Sequence, residues 1–230
     1  MPPRVVLVLP ALDEEATIGG VVRAVPRDRI AEVLVVDNGS RDRTAAVAEA
    51  AGARVIHEPR RGYGRACLAG IEAARAAGAE IIAFMDADGS DPPERLPEVL
   101  APVERGEADL SLGVRDPRRS EPGALTPQQR FGNALAVLMM RRLVGSEYTD
   151  LPPCKAITVA ALDRIEPRDT TYGFTIELLL RAHAERLRVV EVPIPCRRRR
   201  GGSSKVSGTV RGTVLAGVKI VSAVLRHAWR

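Results

Sequence analysis

Aromatic residues make up only 3% of this 230-residue chain, and it has just three cysteines and three histidines. Cys67, Cys154 and Cys196 are scattered with no CxxC pair. That excludes a disulfide framework and a cysteine-based zinc site, and it fits a reducing, cytoplasmic compartment. His57, His183 and His227 lack metal-ligand spacing and read as structural. No run of 18 apolar residues occurs. The best candidate, residues 213–225, contains Lys219 and reads as a packing or surface helix, not a membrane span. The apolar run at the N-terminus meets Asp13 and Glu14 too soon to be a secretory signal. With 45% hydrophobic and 27% charged residues, the composition excludes wholesale disorder and collagen-like architecture.

Charge is present but unevenly placed. The chain carries a net +5. Residues 186–230 hold eleven Lys or Arg and one acid, Glu191, so that segment is strongly basic and the preceding body is acidic. This pattern argues against a protein that coats nucleic acid with its whole surface. It points to a local site for phosphates, lipid headgroups or a partner.

Short β-branched runs alternate with Ala-rich helical stretches. Strands are predicted over residues 4–9, 32–37, 54–57, 80–86 and 109–114, with helices over 16–24, 44–51, 64–77 and 93–103. Runs such as VVLVL and IIAFM are apolar throughout, as in strands covered on both faces. The rhythm predicts an α/β fold with a doubly wound, mainly parallel sheet, and hence ligands beyond the carboxyl ends of the strands. The pattern loosens after about residue 115. A polar, Pro-containing loop leads to a helix over 130–143, a short strand near 156–160, a helix over 174–184 and a strand over 188–194. The basic run CRRRRGGSSKVSG and a final helix over 209–227 follow. The domain reading is a body over 1–195, divided near 115, with a basic loop and helix over 196–230.

The expected strand tips carry the chemistry. The first ends in PALDEE, the second in VVDNGS, where Asp37 could accept hydrogen bonds from a base or ribose. The third leads to RRGYG, where Gly62 and Gly64 precede a helix as in a phosphate-binding turn, although the third Gly of the fingerprint falls on Cys67. The fourth gives MDADGSDPPE. Alternation aims Asp86 and Asp88 to one side, flanking Ala87, and two such close carboxylates repel unless a cation lies between them. A hard divalent ion beside a diphosphate is the natural partner.

Taken in order, LPALDEEATI, VDNGSRDRT, RRGYGRACLAG, MDADGSDPPE, LGVR, RFGN, YGFTIELLLRA and RRRRGGSSKVSGT resemble the GT-A-fold, family-2 glycosyltransferases, in particular the branch that makes dolichyl- or polyprenyl-phosphate sugars. The resemblance implies a nucleoside-diphosphate sugar donor, with Pro10, Leu12, Glu14, Asp37 and Gly62 on its nucleotide side. It implies Mg2+ or Mn2+ at Asp86 and Asp88, and phosphate contacts from Arg115, Arg130 and a tail arginine, Arg199 or Arg200. It departs from the family at Asn38, where a second acid is usual, and at Ser90, where Gln is usual.

The reaction expected from the resemblance is a single inverting displacement. A polyprenyl-phosphate acceptor attacks unaided. A soluble hydroxyl acceptor, the alternative, needs a base, for which Asp150 is the first candidate and Glu177 the second. The basic loop closes over the donor, meets a lipid phosphate or anionic membrane surface, or is solvated. An apolar stripe (Val210, Val214, Val218, Val221, Leu225) marks the last helix for core or homodimer contact. The implied location is cytoplasmic, with peripheral contact at the inner membrane face. Three rivals fare worse. A haloacid-dehalogenase-type phosphatase needs a later acidic pair that is missing. A nucleotidyltransferase needs a basic first turn, where PALDEE is acidic. A non-enzymatic anion-binding protein leaves the carboxylate pair without a use.

Overall fold

The computed structural model describes residues 2–201. The final-helix reading, with its dimer stripe, therefore lies outside the described residues. Seven strands form one sheet, β1 (Val5–Ala11), β2 (Glu32–Asp37), β3 (Arg54–His57), β4 (Ile81–Phe84), β5 (Leu110–Arg115), β6 (Lys155–Thr158) and β7 (Val189–Ile194), in the order β3-β2-β1-β4-β6-β5-β7. All neighbours run parallel except β6, which is antiparallel to both β4 and β5. The strand order turns at β1, with β2 on one side and β4 on the other. A crevice at such a turn, beyond the carboxyl ends, is where this class of sheet binds ligands.

The apolar runs alternate between two cores. Val6, Val8, Leu34, Val36, Ile82 and Phe84 face the layer of α3 (Tyr63–Ala76) and α7 (Phe174–Ala184). Val5, Leu7, Leu9, Val33, Val35, Ile81 and Ala83 face α1 (Ile18–Ala24) and α4 (Leu96–Glu104). Helix α2 (Thr44–Ala50) completes that second layer beside α1. Each fully buried Leu, Ile or Phe contributes about 1.5–3 kcal/mol, so this double-faced sheet is the rigid part of the molecule.

Three expectations need adjusting. The fourth strand stops at Phe84, two residues early, ahead of a turn at Ala87 and Asp88. The helix predicted from Arg130 starts at Pro127 and forms α5 (Pro127–Val144). Its N-cap Thr126 and Gln129 make a reciprocal capping box, and Gly145 ends it in a left-handed conformation. The strand near 156–160 is β6, ending at Thr158, whose hydroxyl accepts the Ala161 N–H and opens a further helix, α6 (Val159–Ile165). The three cysteines are buried and free.

Candidate functional site

The loops after β1 and β2 are zipped together. Asp13 N–H donates to Ser40 Oγ at 2.9 Å, Glu14 N–H to Thr44 Oγ1 at 2.8 Å, and Arg41 N–H to Asp13 Oδ1 at 2.8 Å. Asp37, at the tip of β2, accepts Ser40 N–H at 3.0 Å and has His57 Nδ1 at 3.4 Å. Pro10 and Leu12 line the same edge, both half-buried. Asn38 does something no acid could. Its amide donates to the carbonyls of Glu58 and Arg60 at 3.0 and 2.9 Å, and its oxygen accepts Gly62 N–H at 2.7 Å. The departure from a second acid at this position is therefore a knot between two loops, because a carboxylate would face two carbonyl oxygens.

Gly62 has φ +148°, and a Cβ there would lie 2.2 Å from the Thr170 carbonyl oxygen. The next free amides of α3, on Gly64 and Arg65, donate to the carbonyls of Thr171 and Thr170 at 3.1 Å. At the turn expected to bind phosphate, the chain's own carbonyls thus occupy these amides at the helix N-terminus. Glu177 organises that plug. It accepts the N–H groups of Arg168 and Asp169 on one oxygen and Arg181 Nε at 2.9 Å on the other. With both oxygens engaged, Glu177 serves as a loop anchor in the structure.

Beyond β4, Asp86 and Asp88 are half-buried on either side of buried Ala87. Asp88 accepts Ser90 N–H at 2.9 Å, and the Tyr63 hydroxyl lies 3.5 Å from Asp86. Burial, with the neighbouring Asp88 charge, pushes the Asp86 carboxyl up to about 7. Burial, with Asp86 and Asp88, pushes Asp91 up to about 8, and its Oδ2 has no hydrogen-bond partner among the described residues. Lys155 is completely buried. Its ammonium donates to Pro153 O and Thr175 Oγ1 at 3.1 and 3.3 Å and sits 5.8 Å from the Phe84 ring centroid. Burial lowers its pKa, and the surrounding thiols and carboxyls oppose that shift. Phe84, Phe174 and Tyr63 form a column of rings 6.0 and 6.4 Å apart. Much of a sparse aromatic complement is thus gathered beneath one carboxylate pair.

The tail reaches the same loop. Arg197 N–H donates to Ser90 O at 2.8 Å and Arg200 N–H to Asp88 O at 3.3 Å. Cys196 N–H donates to Ser120 Oγ at 2.8 Å. The first residues of the basic segment are thus hydrogen-bonded to the body. The Arg199 guanidinium bridges Glu14 and Asp88, the latter at 3.1 Å. Burial raises the Glu14 pKa while Arg199 opposes the rise. The Arg200 side chain is exposed, so Arg199 is the tail arginine that enters the site.

On the far side, Arg115 Nε donates to Asp150 Oδ2 at 2.8 Å and Nη2 to Asp150 Oδ1. Asp150 also accepts the N–H groups of Arg115 and Leu151 at 3.0 and 2.9 Å. Asn133 of α5 accepts from Arg115 Nη2 at 3.3 Å and Leu151 N at 3.1 Å. Asp150 has both oxygens committed and acts as an anchor for Arg115. Arg130 is exposed on the first turn of α5, away from this cluster's hydrogen bonds.

Sequence reading missed Lys155, Tyr63, Asn133 and the fork of Arg199. A lysine opening the short, mostly apolar β6 was the one available signal. The donor set around Asp86 and Asp88, all hard oxygens in a desolvated place with excess negative charge, suits a divalent ion such as Mg2+ or Mn2+. No three metal-ligating side chains converge among the described residues. The rest of such an ion's shell would come from diphosphate and water, which is the usual habit of Mg2+.

Residues 6–166 match the profile of Glycosyl transferase family 2. An uncharacterized glycosyltransferase of Mycobacterium tuberculosis is 40% identical over 213 residues, covering 92% of this chain and 94% of its own length. The undecaprenyl-phosphate mannosyltransferase of Micrococcus luteus is 31% identical, covering 94% and 92%. The polyprenol monophosphomannose synthase of Mycolicibacterium smegmatis is 32% identical, covering 90% and 82%. Among solved structures, the glucosyl-3-phosphoglycerate synthase of Mycobacterium tuberculosis with Mn2+, UDP-glucose and phosphoglyceric acid superposes with a TM-score of 0.79, at 24% identity over 99% of this chain and 80% of that one. The fold is accordingly the GT-A fold.

Proposed function

Since the chain belongs to glycosyl transferase family 2 and is therefore a glycosyltransferase, we propose that it moves a sugar, with inversion, from a nucleoside-diphosphate sugar to a polyprenyl phosphate at the cytoplasmic face of a membrane. The observation that carries the donor half is the half-buried pair Asp86 and Asp88 beside the turn of strand order, with Arg199 across it. Mg2+ or Mn2+ held there would neutralise charge developing on the leaving diphosphate. Arg199, released from Asp88 as the metal binds, adds a second source of positive charge. Glu14 and Asp37 lie on the nucleotide side, where carboxylates accept hydrogen bonds from ribose or base.

The acceptor half rests on what surrounds the two base candidates. Asp150 and Glu177 both have their oxygens committed to arginines and backbone amides. A hydroxyl acceptor needs a carboxylate free to take its proton. A phosphate monoester is already anionic and needs none. Its oxygen forms the new bond to the anomeric carbon as the bond to the diphosphate oxygen breaks, and Arg115, held by Asp150 and Asn133, is placed to orient the incoming phosphate. The names of the Micrococcus and Mycolicibacterium relatives support the same acceptor class.

Turnover assays with UDP- and GDP-sugars, Mn2+ or Mg2+, and either a polyprenyl phosphate or soluble alcohols and phosphoglycerate test this reading. Product on the lipid phosphate is the expected result. Product only on a soluble hydroxyl would overturn the acceptor assignment, and full turnover in chelator would overturn the metal.

A further inference from the structure

Helix α5 has two unlike faces. Ala136 and Met140 are buried against the body, and Asn133 holds Arg115 and Leu151. The opposite face carries Phe131, Leu135 and Leu138 at helical spacing, with relative exposures of 70%, 39% and 50%. These are the large apolar side chains a soluble surface normally hides, and they form one strip. The helix has no acid among its 18 residues, and Arg130, Arg141 and Arg142 are all exposed along it.

We propose that this face of α5 is a docking surface for an anionic phospholipid bilayer, lying in the membrane plane with Phe131, Leu135 and Leu138 below the headgroups. An apolar strip between arginines is the pattern of an interfacial helix, with the strip about 5–10 Å deep and the cations on anionic headgroups. Charge decides against the competing occupant. A second copy related by a twofold axis would bring arginine-bearing, acid-free helices together with nothing on either helix to pair them. The position also fits. The inner side of the same helix carries Asn133, which fixes Arg115, so docking α5 would bring the phosphate-orienting arginine to headgroup depth. In that last respect the inference rests on the polyprenyl-phosphate reading, but the docking itself does not.

Flotation of the full-length protein with vesicles tests it, using phosphatidylglycerol or phosphatidylcholine vesicles that contain no polyprenyl phosphate. The wild type should float with phosphatidylglycerol. The triple variant Phe131→Ser, Leu135→Ser, Leu138→Ser should lose at least tenfold in partitioning. The pair Arg141→Gln, Arg142→Gln should lose about fivefold per charge on anionic vesicles and nothing on neutral ones. These residues are exposed, so circular dichroism should match wild type. Wild type left behind by the vesicles, or variants that float as well as wild type, would overturn the proposal. So would a wild-type dimer that the triple variant turns into a monomer, which would assign the face to a second copy. Flotation that holds while only a soluble alcohol is glycosylated would support docking and sink the acceptor reading alone.

Discussion

Replacing Arg199 with Met should change metal binding and nucleotide binding in opposite directions. In the ligand-free protein this guanidinium serves as counter-cation to Glu14 and Asp88, whose side chains are 9% and 14% exposed against 23% for the arginine. A hydrogen bond to a charged group contributes about 1.5–3 kcal/mol. Three are lost in the variant, to Glu14, Asp88 and the Gly201 carbonyl, but partial exposure and the ability of Glu14 to take up a proton soften the loss. A net destabilisation of about 2 kcal/mol is expected, which lowers Tm by about 4–8 °C for a chain of this size. Mn2+ at Asp88 must displace the same guanidinium, and an obstacle of about 1.4 kcal/mol is a factor of ten in Kd. Mn2+ alone should therefore bind Arg199→Met about tenfold more tightly and restore much of its Tm. A nucleoside diphosphate with Mn2+ should bind it more weakly, because the second cation for the diphosphate is gone. Calorimetric titration and thermal shift read both quantities. Equal Mn2+ affinities in the two proteins, or a weaker one in the variant, would refute the reasoning.

Other substitutions test other parts of the site. Asp91 and Asp86 have native pKa values raised above the ordinary carboxylate value, to about 8 and about 7. Between roughly pH 4 and those values the native state binds more protons than the unfolded one, so metal-free stability falls as pH rises, by about 1.4 kcal/mol per pH unit for each group. Asp91→Asn should remove part of that slope and raise Tm at pH 8 more than at pH 5, and a parallel pH dependence in the variant would count against it. Asp150→Asn leaves Arg115 underpaired and should cost about 3 kcal/mol in a denaturant titration, with the acidic limb of the pH–rate profile, the one a general base governs, unchanged. Loss of that limb would instead identify Asp150 as the base. Asn38→Asp sets a carboxylate against the Glu58 and Arg60 carbonyls and should cost about 2 kcal/mol or more. A neutral outcome in chemical denaturation would show that the knot is dispensable.

The first, second and fourth strands were readable because their apolar runs are continuous, and the acids at their tips were readable because nothing in a buried strand needs them. Asp86 and Asp88 were singled out by alternation along a strand that ends before either; in the structure both are half-buried just beyond it. The missing pieces depend on distant partners. Arg199 meets Glu14 across almost the whole chain, and no local pattern singles it out from Arg197, Arg198 or Arg200. Gly62 looked like a phosphate turn because its sequence context is that of one. The carbonyls that fill the helix end come from Thr170 and Thr171, far along the chain. Asp150 and Glu177 looked like bases for a similar reason: their residue types were visible, but not the amides and guanidinium groups that occupy them.

The antiparallel strand β6 also bears on how the chain is made. β5 does not touch β4; it joins the sheet only through β6 and β7. While a ribosome has released only the first 150 or so residues, β1 to β4 can assemble, but Ile81–Phe84 stands as a bare apolar edge. It is capped only when Phe84 finds Lys155 and Ile81 finds Thr158. Unpaired edges of this kind recruit strands from other chains. A fragment cut at residue 115 should therefore aggregate, whereas a chain extended through the Phe84–Lys155 pairing closes its own seam.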